Sequence, residues 1–213
     1  MSGVMAMTAA LFLALVSSNA YAQPSPAAPA HWTMELRGGL WLPTNNVIKQ
    51  FFGLCCNPTG TIEGGYLFKS RYGVELGAGA FYSSGTARGA VSGTVSQDPF
   101  TLLLFPVTAD FTFRGRFRPN QMVVPIVRGG PDMVYFREND AGTVIKGLKW
   151  GMHGAVGAQF SLKQLSGSNS EFELGVRNVY ITIEARYNWI NSFGKKGLDL
   201  SGALTTLGLM FDF

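Results

Sequence analysis

The chain has 213 residues, 27 of them glycine, with 14% charged and 13% aromatic side chains, a formal charge of +4 and a pI near 9.2. A soluble domain carries about 25% charge. The basic side chains are scattered along the chain rather than clustered, which excludes a nucleic-acid footprint. The length allows one domain, and the composition suits a β-protein with one face in lipid, although it suits some soluble all-β folds as well.

The first elements belong to targeting. An apolar run from Val4 to Val16 is followed by Ser17, Ser18 and Asn19, then by Ala20-Tyr21-Ala22. Small residues at Ala20 and Ala22 form a signal-peptidase site, so residues 1–22 read as a cleavable secretory signal peptide and 23–31 as a short N-terminal segment. The alternative is an N-terminal anchor, but the run is short for a bilayer. No Lys or Arg precedes Arg37, so the usual basic leader region is missing. Past Ala22 no stretch approaches the ~18 apolar residues of a membrane helix. A membrane crossing in this chain therefore requires strands, because in lipid only helices and closed barrels satisfy every backbone N–H and C=O.

Period-2 alternation dominates residues 32–213. The first strand sets Trp32, Met34, Leu36, Gly38, Leu40 and Leu42 against Thr33, Glu35, Arg37, Gly39 and Trp41. The second sets Ile62, Gly64, Tyr66 and Phe68 against Glu63 and Gly65; the third sets Tyr72, Val74, Leu76, Ala78 and Tyr82 against Glu75, Gly77 and Phe81. In the fourth, Phe105, Val107, Phe111 and Phe113 oppose Thr108, Asp110, Thr112 and Arg114. The fifth, about Met122 to Phe136, is interrupted by Pro125 and Pro131, and a bulge or an end of pairing is expected near Pro131. Its polar face is Val124, Ile126, Arg128, Gly130 and Asp132. The sixth opposes Trp150, Met152, Val156 and Phe160 to Lys149, Gly151, His153 and Gln159. The seventh opposes Ile181, Ile183, Tyr187 and Trp189 to Thr182, Glu184 and Arg186. The last opposes Leu207, Leu209, Phe211 and Phe213 to Gly208, Met210 and Asp212. The fold class is all-β: a closed antiparallel up-and-down barrel of about eight strands.

Alternation alone does not say which face points inward, and a soluble barrel has the opposite sense. Four features place the apolar face outside. The polar face is rich in glycine, which lets a narrow lumen close around long side chains. That face carries Glu35, Glu63, Glu75, Asp110 and Glu184 beside Arg37, Arg114, Lys149 and Arg186, acids and bases in balance, which suits a lumen filled by paired charges. Aromatics gather at strand ends, with Trp32, Phe68, Tyr72, Phe113, Phe160 and Phe213 at one rim and Tyr82, Phe105, Tyr135, Trp150 and Trp189 at the other. Connections largely alternate in length: 43–60, 84–97, 137–147 and 190–199 are long, those near Ser70 and from Gly115 to Gln121 are shorter. The stretch from Leu165 to Asn178 breaks this pattern, and Phe172, Leu174 and Val176 read as a hairpin extended into the periplasm.

The C-terminal Leu207, Leu209, Phe211 and Phe213, at spacing two and closing on phenylalanine, resemble the signal by which the outer-membrane assembly machinery recognises its clients. With Trp150 through Phe160 and Glu184-Ala185-Arg186-Tyr187, residues 32–213 resemble small Gram-negative outer-membrane β-barrels of the OmpA-domain and OmpW-like type. The resemblance implies residence in the outer membrane, contact with its lipid and with the assembly machinery, and no nucleic-acid partner; it leaves oligomeric state open. Such proteins are variously anchors, adhesins, ports for small apolar molecules or lipid A-modifying enzymes, so fold does not settle activity.

Candidate chemistry is sparse. His153 is the only histidine inside a predicted strand and faces the polar side, with Gly154 and Ala155 after it instead of the His-x-Ser arrangement of lipid A deacylases. It reads as a structural member of a lumenal network of Glu35, Arg37, Glu63, Glu75, Asp110, Arg114, Arg128, Lys149, His153, Glu184 and Arg186. No catalytic, cofactor or metal site is expected. Cys55 and Cys56 are adjacent in the first long loop, which leaves a vicinal disulfide, free thiols or an intermolecular bridge open. Phe51, Phe52 and Leu54 beside them suit a cap on the barrel mouth or an apolar contact. The first expectation is a non-enzymatic barrel anchoring extracellular loops. The alternatives are a narrow port for small hydrophobic or polar solutes, an envelope-lipid-modifying enzyme, and a soluble periplasmic barrel.

Overall fold

Alternating sequences of this length cannot bury their backbone polar groups alone, and the chain solves this by closing its strands on one another. The computed structural model describes residues 31–45, 57–88, 95–118, 120–140, 143–163, 176–191 and 199–213. Its strands are β1 (His31–Pro43), β2 (Asn57–Phe68), β3 (Tyr72–Arg88), β4 (Val95–Arg114), β5 (Val123–Asp140), β6 (Thr143–Ser161), β7 (Asn178–Trp189) and β8 (Gly202–Asp212). Each pairs antiparallel with its neighbour in sequence and β8 returns to β1, so the sheet has no free edge. Among the described residues no helix is long and apolar enough to cross a membrane.

The apolar face points outward. Leu36, Val74, Ile183 and Leu209 are 45%, 53%, 48% and 44% exposed, while Glu35 and Arg186 are 3% and 6% exposed. Water does not tolerate such a surface; a hydrocarbon layer requires it. Aromatic pairs mark the two rims. Trp32, Tyr66 and Phe68 pack edge to face, as do Tyr187 and Trp189 at the opposite end, where Phe105 also lies beside Tyr135. Tyr72 and Phe113 complete the lower rim, with ring centroids 5.5 Å apart.

Several expectations need correction. β1 begins at His31, not Trp32, so His153 is not the only histidine in a strand. β5 and β6 continue to Asp140 and from Thr143, and β3 and β4 to Arg88 and from Val95, so the stretches read as loops at 137–147 and 84–97 are largely hairpin. Pro131 neither bulges nor ends β5. The β4–β5 ladder lapses between Thr108↔Asp132 and Phe111↔Gly129 and resumes in the same register, while the β5–β6 ladder runs through Pro131↔Met152. The missing N–H costs bridges on one side only. Pro106 does the same between β3 and β4. The expected hairpin at 165–178 lies mainly outside the described residues, as do Phe51, Phe52, Leu54, Cys55 and Cys56.

The β2–β3 turn is tight. Lys69 and Ser70 take φ of 51° and 54°, and Arg71 N–H donates to the Phe68 carbonyl at 3.1 Å. Two consecutive left-handed residues match the right-handed twist of the strands they join.

Candidate functional site

The register brings like charges together. Glu35 of β1 stands directly opposite Glu63 of β2, and Glu75 of β3 opposite Asp110 of β4. Opposed like charges are destabilising in a ladder. Arg128 resolves the conflict from β5, which lies across the ring from β1. Its Nη2 donates to Glu35 Oε2 at 2.5 Å and its Nη1 to Glu63 Oε2 at 2.9 Å, while its Nε is 3.5 Å from Glu75 Oε2 and 3.6 Å from Glu184 Oε2. Arg37 adds a second clamp, donating from Nη1 to Glu184 Oε1 at 2.6 Å and pairing through Nη2 with Glu63 Oε1. Arg186 donates from Nε to Glu184 Oε1 at 3.2 Å, with Nη2 3.5 Å from both Glu63 and Asp110.

His153 sits between two carboxylates, its Nε2 2.5 Å from Asp110 Oδ1 and its Nδ1 2.8 Å from Asp132 Oδ1. Both contacts need a hydrogen. Either the imidazole carries two or one carboxyl carries one, and in both cases the three groups together hold one net negative charge. Seven of the eight strands contribute to this ionic layer, and its side chains are sealed from water. The remaining strand, β8, contributes room: at Gly208 a Cβ would lie 2.7 Å from the Leu36 carbonyl oxygen and would strike Arg37. At Gly77 a Cβ would lie 2.6 Å from Thr108 Oγ1 and 2.8 Å from Glu63 Cγ. The glycines of the polar face are the space in which the charges fit.

Acids and bases are not balanced. Glu35, Glu63, Glu75, Asp110, Asp132 and Glu184 face Arg37, Arg128, Arg186 and His153, so the layer carries two negative charges in excess even with His153 protonated. Lys149, expected among them, is half-buried on the inward face toward the long loops and joins no ion pair among the described residues. Arg114, also expected there, belongs to a separate lower cluster. Its Nη1 lies 3.4 Å from Asp212 Oδ1 and its guanidinium stacks over Tyr180 at 4.8 Å, with His31 Nε2 3.5 Å from the same carboxylate. Sequence reasoning missed Asp132, Asp212 and His31 as site members, although inward parity marked the first two.

It also missed two apolar tiers inside the barrel. Trp41, Phe81, Leu102, Leu104, Val134, Phe136, Ile190, Leu200 and Leu204 pack above the ionic layer, on the side of the long loops. Leu67, Val124, Tyr180 and Met210 pack below it. A cavity of about 60 Å³ lies between the upper tier and the ionic layer. Among the described residues no group of three or more carboxylate, histidine or cysteine side chains is placed to hold a metal ion.

The fold has parallels among solved structures. The outer membrane protein OprG of Pseudomonas aeruginosa is 15% identical, with a TM-score of 0.60 over 89% of this chain and 99% of that one. A major outer membrane protein from Thermus thermophilus is 13% identical, with a TM-score of 0.55 over 87% and 100%. The N-terminal β-barrel domain of Pseudomonas aeruginosa OprF is 11% identical, with a TM-score of 0.54 over 88% and 100%. At these identities the likeness is one of fold. No curated protein matches the sequence. Residues 8–213 match the family described as outer membrane protein beta-barrel domain. With its lipid-compatible wall, aromatic rims and closed eight-stranded ring, the chain belongs to that family and resides in the cell outer membrane.

Proposed function

We propose that the protein is a non-enzymatic barrel that anchors its extracellular loops in the outer membrane. The supporting observation is the ionic layer, whose side chains cross the whole lumen and are buried from water. A conducting pore exposes its lining; this barrel is filled at mid-height. His153, the one histidine weighed as a general base, is held through both ring nitrogens by Asp110 and Asp132 inside the barrel, away from any lipid substrate, which leaves neither nitrogen for a hydroxyl or thiol. The proposal includes export through residues 1–22 and recognition of Leu207, Leu209, Phe211 and Phe213 by the assembly machinery. Leu207 and Leu209 face outward on β8, and Phe213, one residue past its end, is exposed beside them, where a second protein can read them.

Recording from planar bilayers tests the anchor. The wild-type protein should be silent, and Arg128→Ala should open discrete conductance steps by removing the central clamp. Regular openings in the wild type would overturn the reading. A narrow port for small solutes is the second reading, and the upper cavity favours it. Lipid A should be unchanged on overproduction; a modification lost in His153→Ala would restore the enzyme reading.

A further inference from the structure

The topology brings together basic side chains that lie far apart in sequence. At the rim opposite the long loops, the β2–β3 turn carries Lys69 and Arg71, and the β4–β5 turn carries Arg116 and Arg118. Neither 68–72 nor 113–122 contains an aspartate or a glutamate. The two turns are joined. Arg114 N–H donates to the Arg71 carbonyl at 2.7 Å, and Arg71 Nε donates to the Arg116 carbonyl at 2.9 Å. The Gln121 side chain fixes the second turn, accepting from Phe117 N–H at 2.8 Å and donating to the Gly115 carbonyl at 2.8 Å.

Arg71 is a donor set in place before any ligand arrives. Its Nε bond and the Phe117 ring, whose centroid lies 5.4 Å from the guanidinium carbon, hold the group, and its two terminal nitrogens have no partner among the described residues. Lys69 is exposed, and its ammonium has no partner among those residues either. A guanidinium held at Nε still offers N–H groups to two oxygens of one oxyanion. Four cations with no acid in either segment select an anion over a neutral or cationic group.

Height decides where the anion comes from. Lys69 follows Phe68 and Arg71 precedes Tyr72, and these two aromatics face outward, 47% and 45% exposed. The cations therefore stand one residue beyond the hydrocarbon belt, level with the phosphates of a leaflet. We propose that the two turns form a site for the phosphodiester of an anionic phospholipid in the leaflet on this side of the membrane, with its acyl chains against Phe68 and Tyr72. A zwitterionic headgroup offsets its phosphate with its own ammonium, so the site prefers a lipid such as phosphatidylglycerol. The site goes beyond the anchoring role, since a barrel can hold its loops without preferring one lipid.

The test reconstitutes the full-length protein into vesicles of phosphatidylcholine and phosphatidylglycerol, with bromine on the acyl chains of one lipid or the other. Trp32 reports this rim, being 65% exposed and linked to Phe68 through edge-to-face contacts with Tyr66. Subtracting the signal of Trp32→Phe removes the other tryptophans, including those near the opposed cations Arg137 and Lys146 of the far rim. Quenching at Trp32 should give phosphatidylglycerol a relative binding constant at least about fivefold above phosphatidylcholine, the pull of one basic side chain on an anionic lipid. Lys69→Asn combined with Arg71→Gln should bring the ratio near one while the barrel keeps its heat-modifiable migration. Should the double variant not fold, Lys69→Asn alone, at a left-handed position that asparagine adopts readily, should lower the ratio by about twofold or more. Equal constants in the wild type, or a preference that survives these substitutions in a folded barrel, overturns the proposal. Retention by peptidoglycan sacculi that the substitutions abolish, with no preference between the lipids, also overturns it and gives the turns to a wall polymer.

Discussion

Replacing Arg128 with methionine keeps most of the side-chain volume and removes the charge that separates four glutamates. Two contacts, at 2.5 Å to Glu35 and 2.9 Å to Glu63, are short charge-assisted hydrogen bonds, each worth about 1.5–3 kcal/mol. Glu75 and Glu184, at 3.5 and 3.6 Å, lose their Coulombic partner as well. Deleting one member of a buried pair costs about 3–5 kcal/mol, because the survivors stay buried and uncompensated. That is a large share of a total stability of about 5–15 kcal/mol. With a slope near 2 kcal/mol per M, the urea midpoint should fall by about 2 M. The assay is urea unfolding in detergent micelles, followed by circular dichroism and by heat-modifiable gel migration. Adding Glu35→Gln to the variant should recover about 1 kcal/mol or more, since it relieves the opposed Glu35–Glu63 pair. A midpoint within about 0.5 M of wild type, with no recovery in the double variant, would refute a dry ionic layer and mean that water solvates these carboxylates.

Three further outcomes follow from the wall, the packing and the turn. Leu76 faces lipid midway along the β2–β3 ladder, so Leu76→Arg should cost about 2–4 kcal/mol in folding into liposomes, whereas an unchanged folding yield would contradict the outward assignment. Gly77→Ala places a methyl 2.6 Å from Thr108 Oγ1 and 2.8 Å from a Glu63 side chain held by three arginines; overpacking should cost about 1–3 kcal/mol by chemical denaturation. At the β2–β3 turn Ser70→Gly relieves a left-handed residue and should raise stability by about 1 kcal/mol; a loss there would show that the buried Ser70 side chain matters more than its backbone.

The sequence by itself determined the parity of nearly every residue in the wall. Successive side chains of a strand point to opposite faces, a covalent property that needs no partner strand. Thus Leu36, Val74, Ile183 and Leu209 were assigned outward, and Glu35, Arg128 and Glu184 inward, before any pairing was known. Composition and terminal aromatics then chose lipid over a dry core for the apolar face. Turns and strand ends were less legible, because glycine and polar residues at 84–97 and 137–147 suit a loop and a hairpin above the membrane equally. Only the tertiary structure decided who meets whom inside. The stagger between strands sets the height of each inward side chain, and heights are not encoded in any single strand's alternation. Register placed Glu35 against Glu63, carried Arg128 across the ring to both, and moved Arg114 down to Asp212. It also gathered Trp41, Phe81, Leu104 and Val134, which looked like lapses in a polar face, into one apolar tier above an acidic floor.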